Sequence, residues 1–335
     1  MKDPQTRRKA WLTLGLSRLR PGQIARLIEQ LGSPEAVVRR LKLQACDPEG
    51  PFPALTPGDS EYPIRLLDLH DPPALLYRNG LAVPEGRHPR VAIVGSRRAT
   101  AYGRTLAYRL GADLARRGVV VVSGLALGID SAAHEGAMTG FRSGAHPLAV
   151  LGCGLDCDYP RTNRQLRTRM AGQACLLSEY PAGTSPAAWR FPARNRIVAG
   201  LAQVVVVVEA GLRSGALITT DLATELGRTV MAAPGQVGNP NSEGTHKLLF
   251  EGAPIVRGVD DILAQLGDFT APAWQPVELE EPLAQIYQAL DPGGSSMAEL
   301  SARTGLDGPA LARGIVHLEL KGLVLRHLGG LYTPV

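Results

Sequence analysis

Between Val91 and about Val256 the chain repeats one pattern: a short β-branched run, a loop of small or charged residues, then a helical stretch. The runs are VAIVG, VVVVSG, PLAVLGCG, ACLLSEY, QVVVVVEA, TVMAAPG and PIV. A strand apolar at every position, rather than at alternate ones, has to bury both faces, and strands separated by helices are joined by crossovers. The pattern predicts a mostly parallel sheet covered by helices on both sides, a doubly wound α/β fold.

The flanks read differently. From Trp11 to Leu43 two helical patterns, WLTLGLSRL and GQIARLIEQL, are broken at Arg20-Pro21-Gly22 and closed by Gly32-Ser33-Pro34. Ser33 suits the cap of a third helix with Pro34 at its first position. This is a small helical unit of the SAM or helix-hairpin-helix kind, which serves nucleic-acid backbones in some proteins and simple packing in others. A Pro-rich stretch, Asp47 to Pro57, leads into the sheet, and after Asp268 the segment TAPAWQPVELEEP reads as a linker. Three helical segments, PLAQIYQAL, SMAELSARTG and DGPALARGIVHLELKG, then precede LVLRHLGGLYTP, a strand, a Gly-Gly turn and a second strand. That order predicts a winged-helix domain. The expected domains are 1–50 (helical), 51–268 (α/β), 269–280 (linker) and 281–335 (winged helix).

The 335 residues are 44% hydrophobic, enough for a substantial core, and the chain is no disordered polymer. Its longest apolar run, around Val204 to Val208, is far short of the roughly 20 residues of a membrane span, and the start MKDPQTRRKA lacks a signal's apolar stretch. A soluble, cytoplasmic protein is expected. Cys46, Cys153, Cys157 and Cys175 are too scattered for a disulfide framework, and no second pair completes a metal site with Cys153 and Cys157. The net charge is +5, carried mostly by arginine because lysine occurs only at Lys2, Lys9, Lys42, Lys247 and Lys321. Arginine's planar fork suits phosphates and stacked bases, although a GC-rich genome also places arginine on any solvated face.

In an open parallel sheet ligands bind beyond the carboxyl ends of the strands. After the first such run comes Gly95-Ser96-Arg97-Arg98, where a glycine turn, backbone N–H groups and two arginines at a helix start suit a phosphate or simply place charge on the surface. The second loop, Ser123-Gly124-Leu125-Ala126-Leu127-Gly128, forms a further candidate phosphate cradle, with Asp130 placed to cap the next helix and His134 one turn in. His134 suits packing or capping better than acid–base work. In the third, Asp156 and Asp158 are candidates for a metal or for acid–base chemistry, but Tyr159, Arg161 and Asn163 beside them suit a base and a phosphate. The segment Trp189 to Arg196 interleaves aromatic and guanidinium groups as a single-strand groove requires, with Phe191, Arg194, Asn195 and Arg196 as candidates; a basic helix start packed by its aromatics is the alternative. Ser214 and Gly215, and later Pro234 and Gly235, add small residues for close backbone approach or tight strand–helix packing. Taken together the loops suit a polyphosphate, without separating DNA from a nucleotide.

The runs VAIVGSR, SGLALGIDSAAH, AVLGCGLDCDYPRTN, SEYPAGTSP, FPARNRIVAGL, VVVVVEAGLRSGALIT and APGQ, preceded by YPIRLLDLHDPPALLYRNG, resemble the DprA (Smf) family over most of Tyr62 to Val256. The resemblance implies a Rossmann-like domain that binds single-stranded DNA rather than a dinucleotide, needs no cofactor or metal, is not an enzyme, forms a homodimer, and delivers the recombinase RecA to DNA taken up in natural transformation. It assigns the arginine of the GSR motif to Arg97 and the basic residue after Tyr-Pro to Arg161, where lysine is common in the family. The FPxRNR motif is complete at Phe191 to Arg196. Segment Gly244 to Val256 resembles the pairing surface, with His246, Leu249 and Ile255 as its residues. The implied arrangement has Arg97, Arg161 and Arg196 on phosphates and Tyr159 or Phe191 on bases. Two departures stand out: Ser143-Gly144-Ala145-His146-Pro147 replaces a Gly-Gly-x-Thr approach to the third strand, and Ala216 replaces a serine. The alternative is a nucleotide-binding hydrolase, but Pro234-Gly235-Gln236-Val237-Gly238-Asn239 lacks the Gly-Gly and threonine of the phosphoribohydrolase loop. The winged helix offers only Arg313, His317 and Lys321 on its candidate recognition helix, thin for duplex readout, so a protein-contact role is equally open.

Overall fold

A computed structural model describes residues 3–17, 19–48, 50–142, 144–267, 269, 279–291, 294–321, 323–326 and 330–334. Most of the 269–280 linker, Ser143 of the departing turn and Gly329 of the wing turn lie outside the described residues.

Three helices open the chain: α1 (Pro4–Leu16), α2 (Pro21–Leu31) and α3 (Pro34–Leu41). α1 begins earlier than its apolar pattern because Asp3 accepts from the Gln5 and Thr6 N–H groups. Ser33 caps α3 as its sequence predicts, accepting from Ala36 N at 3.2 Å. Leu12 of α1 joins the same apolar cluster as Leu75, Tyr77 and Leu151, so the helical unit is seated on one edge of the sheet.

That sheet runs through β1 (Ala54–Leu55), β2 (Leu76–Gly80), β3 (Arg90–Val94), α4 (Ala101–Arg116), β4 (Val120–Ser123), α5 (Ile129–Ala137), β5 (Leu148–Leu151), α6 (Arg164–Gln173), β6 (Cys175–Ser178), α7 (Arg190–Leu201), β7 (Val204–Val207), α8 (Gly215–Glu225), β8 (Thr229–Ala232), α9 (Glu243–Phe250) and α10 (Val259–Leu263). The strand order is β1-β2-β6-β5-β4-β3-β7-β8. β3 to β8 are parallel, with Val91 opposite Val204 in the central pair, whereas β1 and β2 run antiparallel at the β6 edge. The run Pro254 to Val256 makes only an isolated bridge, Ile255 to Ala232, and is not a strand.

Alternation inside the apolar runs sorts their side chains into two layers. Val91, Ile93, Val121, Val204 and Val206 pack with Leu110, Leu114 and Ile129 of α4 and α5, while Ala92, Val122, Val150, Val205 and Val207 pack with Ile197, Val198 and Ala223 of α7 and α8. Each fully buried valine contributes about 1.5–3 kcal/mol, so both faces of every central strand are committed. The connections after β3 and β7 therefore leave on opposite faces, and a crevice opens between these neighbouring strands.

The C-terminal unit has α11 (Leu283–Ala289), β9 (Ser295–Ser296), α12 (Met297–Thr304), α13 (Gly308–Leu320), β10 (Val324–Arg326) and β11 (Leu331–Pro334), its three short strands forming an antiparallel sheet in the order β10-β11-β9. Ser296 and Glu299 form a reciprocal capping box on α12. This is the winged helix read from the sequence. No helix among the described residues is long and apolar enough to cross a membrane.

Candidate nucleic-acid interface

The loop after β3 is held down before it can meet any ligand. Ser96 N donates to Glu209 O at 2.7 Å and Ile129 N to Ser96 O at 3.2 Å, so three strand ends meet at one point. Such approach needs glycine: a Cβ at Gly95 would lie 2.6 Å from Ile129 Cγ1, and one at Gly128, where φ is +80°, 2.2 Å from Ser96 O. Gly128 thus shapes the second loop instead of cradling a phosphate. Ser123 is fully buried and donates to Ile93 O at 2.6 Å, which removes it from the candidate contacts.

Helix N-termini are ready-made anion seats, yet two of those around the crevice are satisfied from within the chain, α4 by a carboxylate and α5 by main-chain carbonyls, Ile129 N donating to Ser96 O and Ser131 N to Ala126 O. At α4 the buried Glu209 carboxylate accepts from Thr100 N at 2.9 Å and Thr100 Oγ1 at 2.5 Å. At α5 Asp130 reaches back to the loop, accepting from Gly124 N at 3.2 Å and Ala126 N at 3.4 Å, so it ties the second loop rather than capping the helix. Burial pushes the Asp130 carboxyl up, while Arg194 opposes that rise. Glu209 is invisible as a functional residue in sequence, because its partner Thr100 lies 109 positions away.

Arg194 is buried. Its Nη1 donates to Gly124 O at 2.8 Å and also to Val150 O, so one arm of its fork is spent on the main chain. Burial lowers its pKa, an effect that Asp130 offsets. Arg196 is the clearest correction. It is 7% exposed and ion-paired to Asp71 Oδ2 at 2.9 Å and Glu179 Oε1 at 2.6 Å, in a different groove from Arg97, so it does not hold a phosphate beside Arg97. Asn195 donates to Gly215 O at 3.2 Å and Asn163 to Leu125 O at 3.0 Å and Ala126 O at 3.3 Å, both fastening loops. His134 is fully buried, and burial pushes it down to about 4, so it is a neutral core residue. Among the described residues no group of three His, Cys, Asp or Glu side chains converges on a metal position. Asp156 instead accepts from Gly183 N at 2.8 Å, and Asp158 pairs with Arg164 at 3.5 Å. Cys153 is a buried thiol pushed up to about 12 by burial.

What stays open is cationic and aromatic. The crevice, about 520 Å³, is lined by Gly95, Ser96, Arg97, Arg98, Phe191, Arg194, Asn195, Ser214 and Gly215 of the expected set, together with Arg213 and Asn241, which sequence reading missed. Arg213 follows a strand in the motif EAGLRSG, so a basic residue at a strand's carboxyl end was the available signal. Asn241 Nδ2 donates to Arg98 O at 3.0 Å. Arg97 and Arg98 are exposed, as is Arg213. The Arg97 guanidinium lies 5.0 Å from the Phe191 ring centre, and Phe191 stacks on Tyr159 at 5.4 Å and 27°. Residues from three separate motifs thus form one tier. Arg161 is exposed two residues after Tyr159 and does not line the crevice itself. Ser214 caps α8, accepting from Ala216 N at 3.3 Å.

The fold and this crevice define a class: a doubly wound α/β protein with helical and winged-helix flanks, carrying an arginine and aromatic tier at its topological switch point. The family model for DNA recombination-mediator protein A matches residues 53–267, and that for the DprA winged helix domain matches residues 270–330. The chain belongs to the DprA/Smf family. It is 40% identical over 289 residues to the putative DNA processing protein DprA of Mycobacterium tuberculosis, covering 80% of this chain and 74% of that one. It is 37% identical over 309 residues to protein Smf of Escherichia coli, covering 87% and 80%. Among solved structures, DprA of Streptococcus pneumoniae superposes with a TM-score of 0.62 at 35% identity, covering 80% of this chain and 94% of that one. DNA processing protein A of Helicobacter pylori, studied for its single-stranded DNA binding mode, superposes with a TM-score of 0.56 at 30% identity, covering 64% and 95%.

Proposed function

We propose that this protein binds single-stranded DNA along the switch-point crevice, shields it, and loads RecA on it during transformation, acting as a cytoplasmic homodimer without catalysis. The observation that carries the reading is the division of labour at the crevice. The α4 N-terminus is occupied by Glu209 and the first N–H groups of α5 donate to Ser96 O and Ala126 O, while Arg97, Arg98, Arg213 and Tyr159 remain exposed and Phe191, stacked on Tyr159, is half-buried. Phosphates met by rim arginines and bases met by rings describe a strand laid across the sheet edge, not a nucleotide sunk into it. The Helicobacter pylori relative supports the same ligand.

Fluorescence anisotropy of labelled oligo-dT and of its duplex, at two salt concentrations, tests this. Preference for the single strand is expected, with log K falling by about 0.7 per log unit of salt for each phosphate contact. Equal affinity for both forms, or none, would sink the reading, and release of free base from a nucleotide panel would replace it with the hydrolase.

In this reading the homodimer forms through α9 and the segment after it. Phe250 is 94% exposed and Ile255 44%, at the β8 edge of the sheet, while His246 spends Nε2 on Gly235 O at 3.0 Å. Phe250 therefore joins Leu249 and Ile255 as the apolar contribution. Burying such side chains drives association, so F250E with I255E is expected to turn a dimer into a monomer in light scattering at micromolar concentration. A wild-type monomer, or an unchanged dimer in the variant, would move the interface elsewhere.

A further inference from the structure

We propose that the groove between α2 and the start of α7 carries the next stretch of the same single strand, so that the N-terminal helical unit is part of the nucleic-acid track. The inference rests on the crevice reading above and extends it to residues outside that crevice.

This groove, about 920 Å³, is the larger of the two depressions and is lined from both sides. From α2 come Arg20 and Arg26, both exposed and neither ion-paired among the described residues. The sheet domain contributes Tyr180 and Trp189, edge to face at 6.3 Å, with the Arg190 guanidinium 5.0 Å from each ring. Trp189 is 63% exposed, a large area for an indole to leave in water unless something flat covers it. On the floor, Arg196 pairs with both Asp71 and Glu179, which leaves one net negative charge there, and its Nη1 is buried without a hydrogen-bond partner among the described residues. The positive charge that a polyanion would meet therefore lies at the rim, on Arg20, Arg26 and the Arg190 guanidinium, with the rings of Tyr180 and Trp189 beside it.

The two depressions are joined. Pro186, Ala187 and Ala188 line a shallow trough together with Arg97, Tyr159, Phe191 and Pro192, and Trp189 follows immediately in the chain. A strand leaving the Arg97–Phe191–Tyr159 tier along this trough reaches the Trp189–Arg190–Tyr180 cluster next. Alternating rings and guanidinium groups at both ends are what a sequence-tolerant track needs.

The test uses the full-length protein and oligo-dT of two lengths, about 6 and about 20 nucleotides, spanning the range of single-strand site sizes. W189A and the double variant R20E/R26E change only exposed positions, and thermal melts confirm their folding. Both are expected to bind the short oligomer within about twofold of wild type and the long one about tenfold more weakly. W189F, which keeps a ring, is expected to recover most of the long-oligomer affinity. Wild-type binding of the long oligomer by both variants would overturn the groove alone. Equal weakening on both lengths would place Trp189 in the crevice and overturn it too. Failure of the wild type to bind either length would instead overturn the crevice reading on which this one stands.

Discussion

R97A combined with R161A is expected to weaken oligo-dT binding by about 100-fold while leaving the thermal midpoint unchanged. In the proposed binding mode Arg97 supplies a phosphate contact as well as the cation that lies 5.0 Å from the Phe191 ring, and a charge-assisted hydrogen bond is worth about 1.5–3 kcal/mol. Arg161 adds a second rim charge beside Tyr159. Losing two phosphate contacts lowers the salt slope by about 1.4. Both side chains are exposed, so their removal opens no cavity and orphans no buried group. Anisotropy titrations at several salt concentrations measure both quantities. An affinity within about twofold of wild type would remove the crevice as the binding site.

The opposite outcome is expected of R194A, which should destabilise the fold by about 3–5 kcal/mol. Arg194 is 4% exposed, its Nη1 donates to the carbonyls of Gly124 and Val150, and its charge faces the buried Asp130. Truncation leaves that carboxylate without its cation and two carbonyls without a donor. The second loop, held by Asp130, should loosen, and single-strand binding should fail along with stability. Denaturant unfolding and anisotropy on the same variant separate the possibilities. Wild-type stability with lost binding would return Arg194 to direct contact with the ligand.

Much of the architecture was legible because burial on both faces leaves a mark in the residues themselves. Val204 to Val207 has no polar position at all, and Ser33-Pro34 announces a helix start by capping chemistry. β1 and β2 escaped notice because a two-residue strand has no period and Leu76–Gly80 changes from apolar to polar halfway. Within the site, Arg97, Phe191 and Tyr159 came from three separate motifs, and the structure brings their side chains together. Arg196 was misread because an arginine-rich motif looks uniform along the chain. On a helix, residues two apart point nearly opposite ways, so Arg194 and Arg196 of α7 could not both meet one strand, and that spacing was available in the sequence. Glu209 and Asn241 depend on contacts across more than a hundred positions and had no local signal.

The first helix of a doubly wound sheet elsewhere offers its positive end to a cofactor's pyrophosphate. Here Glu209 occupies that position at α4 as a built-in anion, permanently bound because it belongs to the chain. A cell's free dinucleotides and triphosphates would have to displace a tethered carboxylate to enter there. Discrimination against the commonest small anions of the cell is thus written into the scaffold as prior occupancy, and the outer arginines stay vacant for a ligand long enough to engage several of them at once.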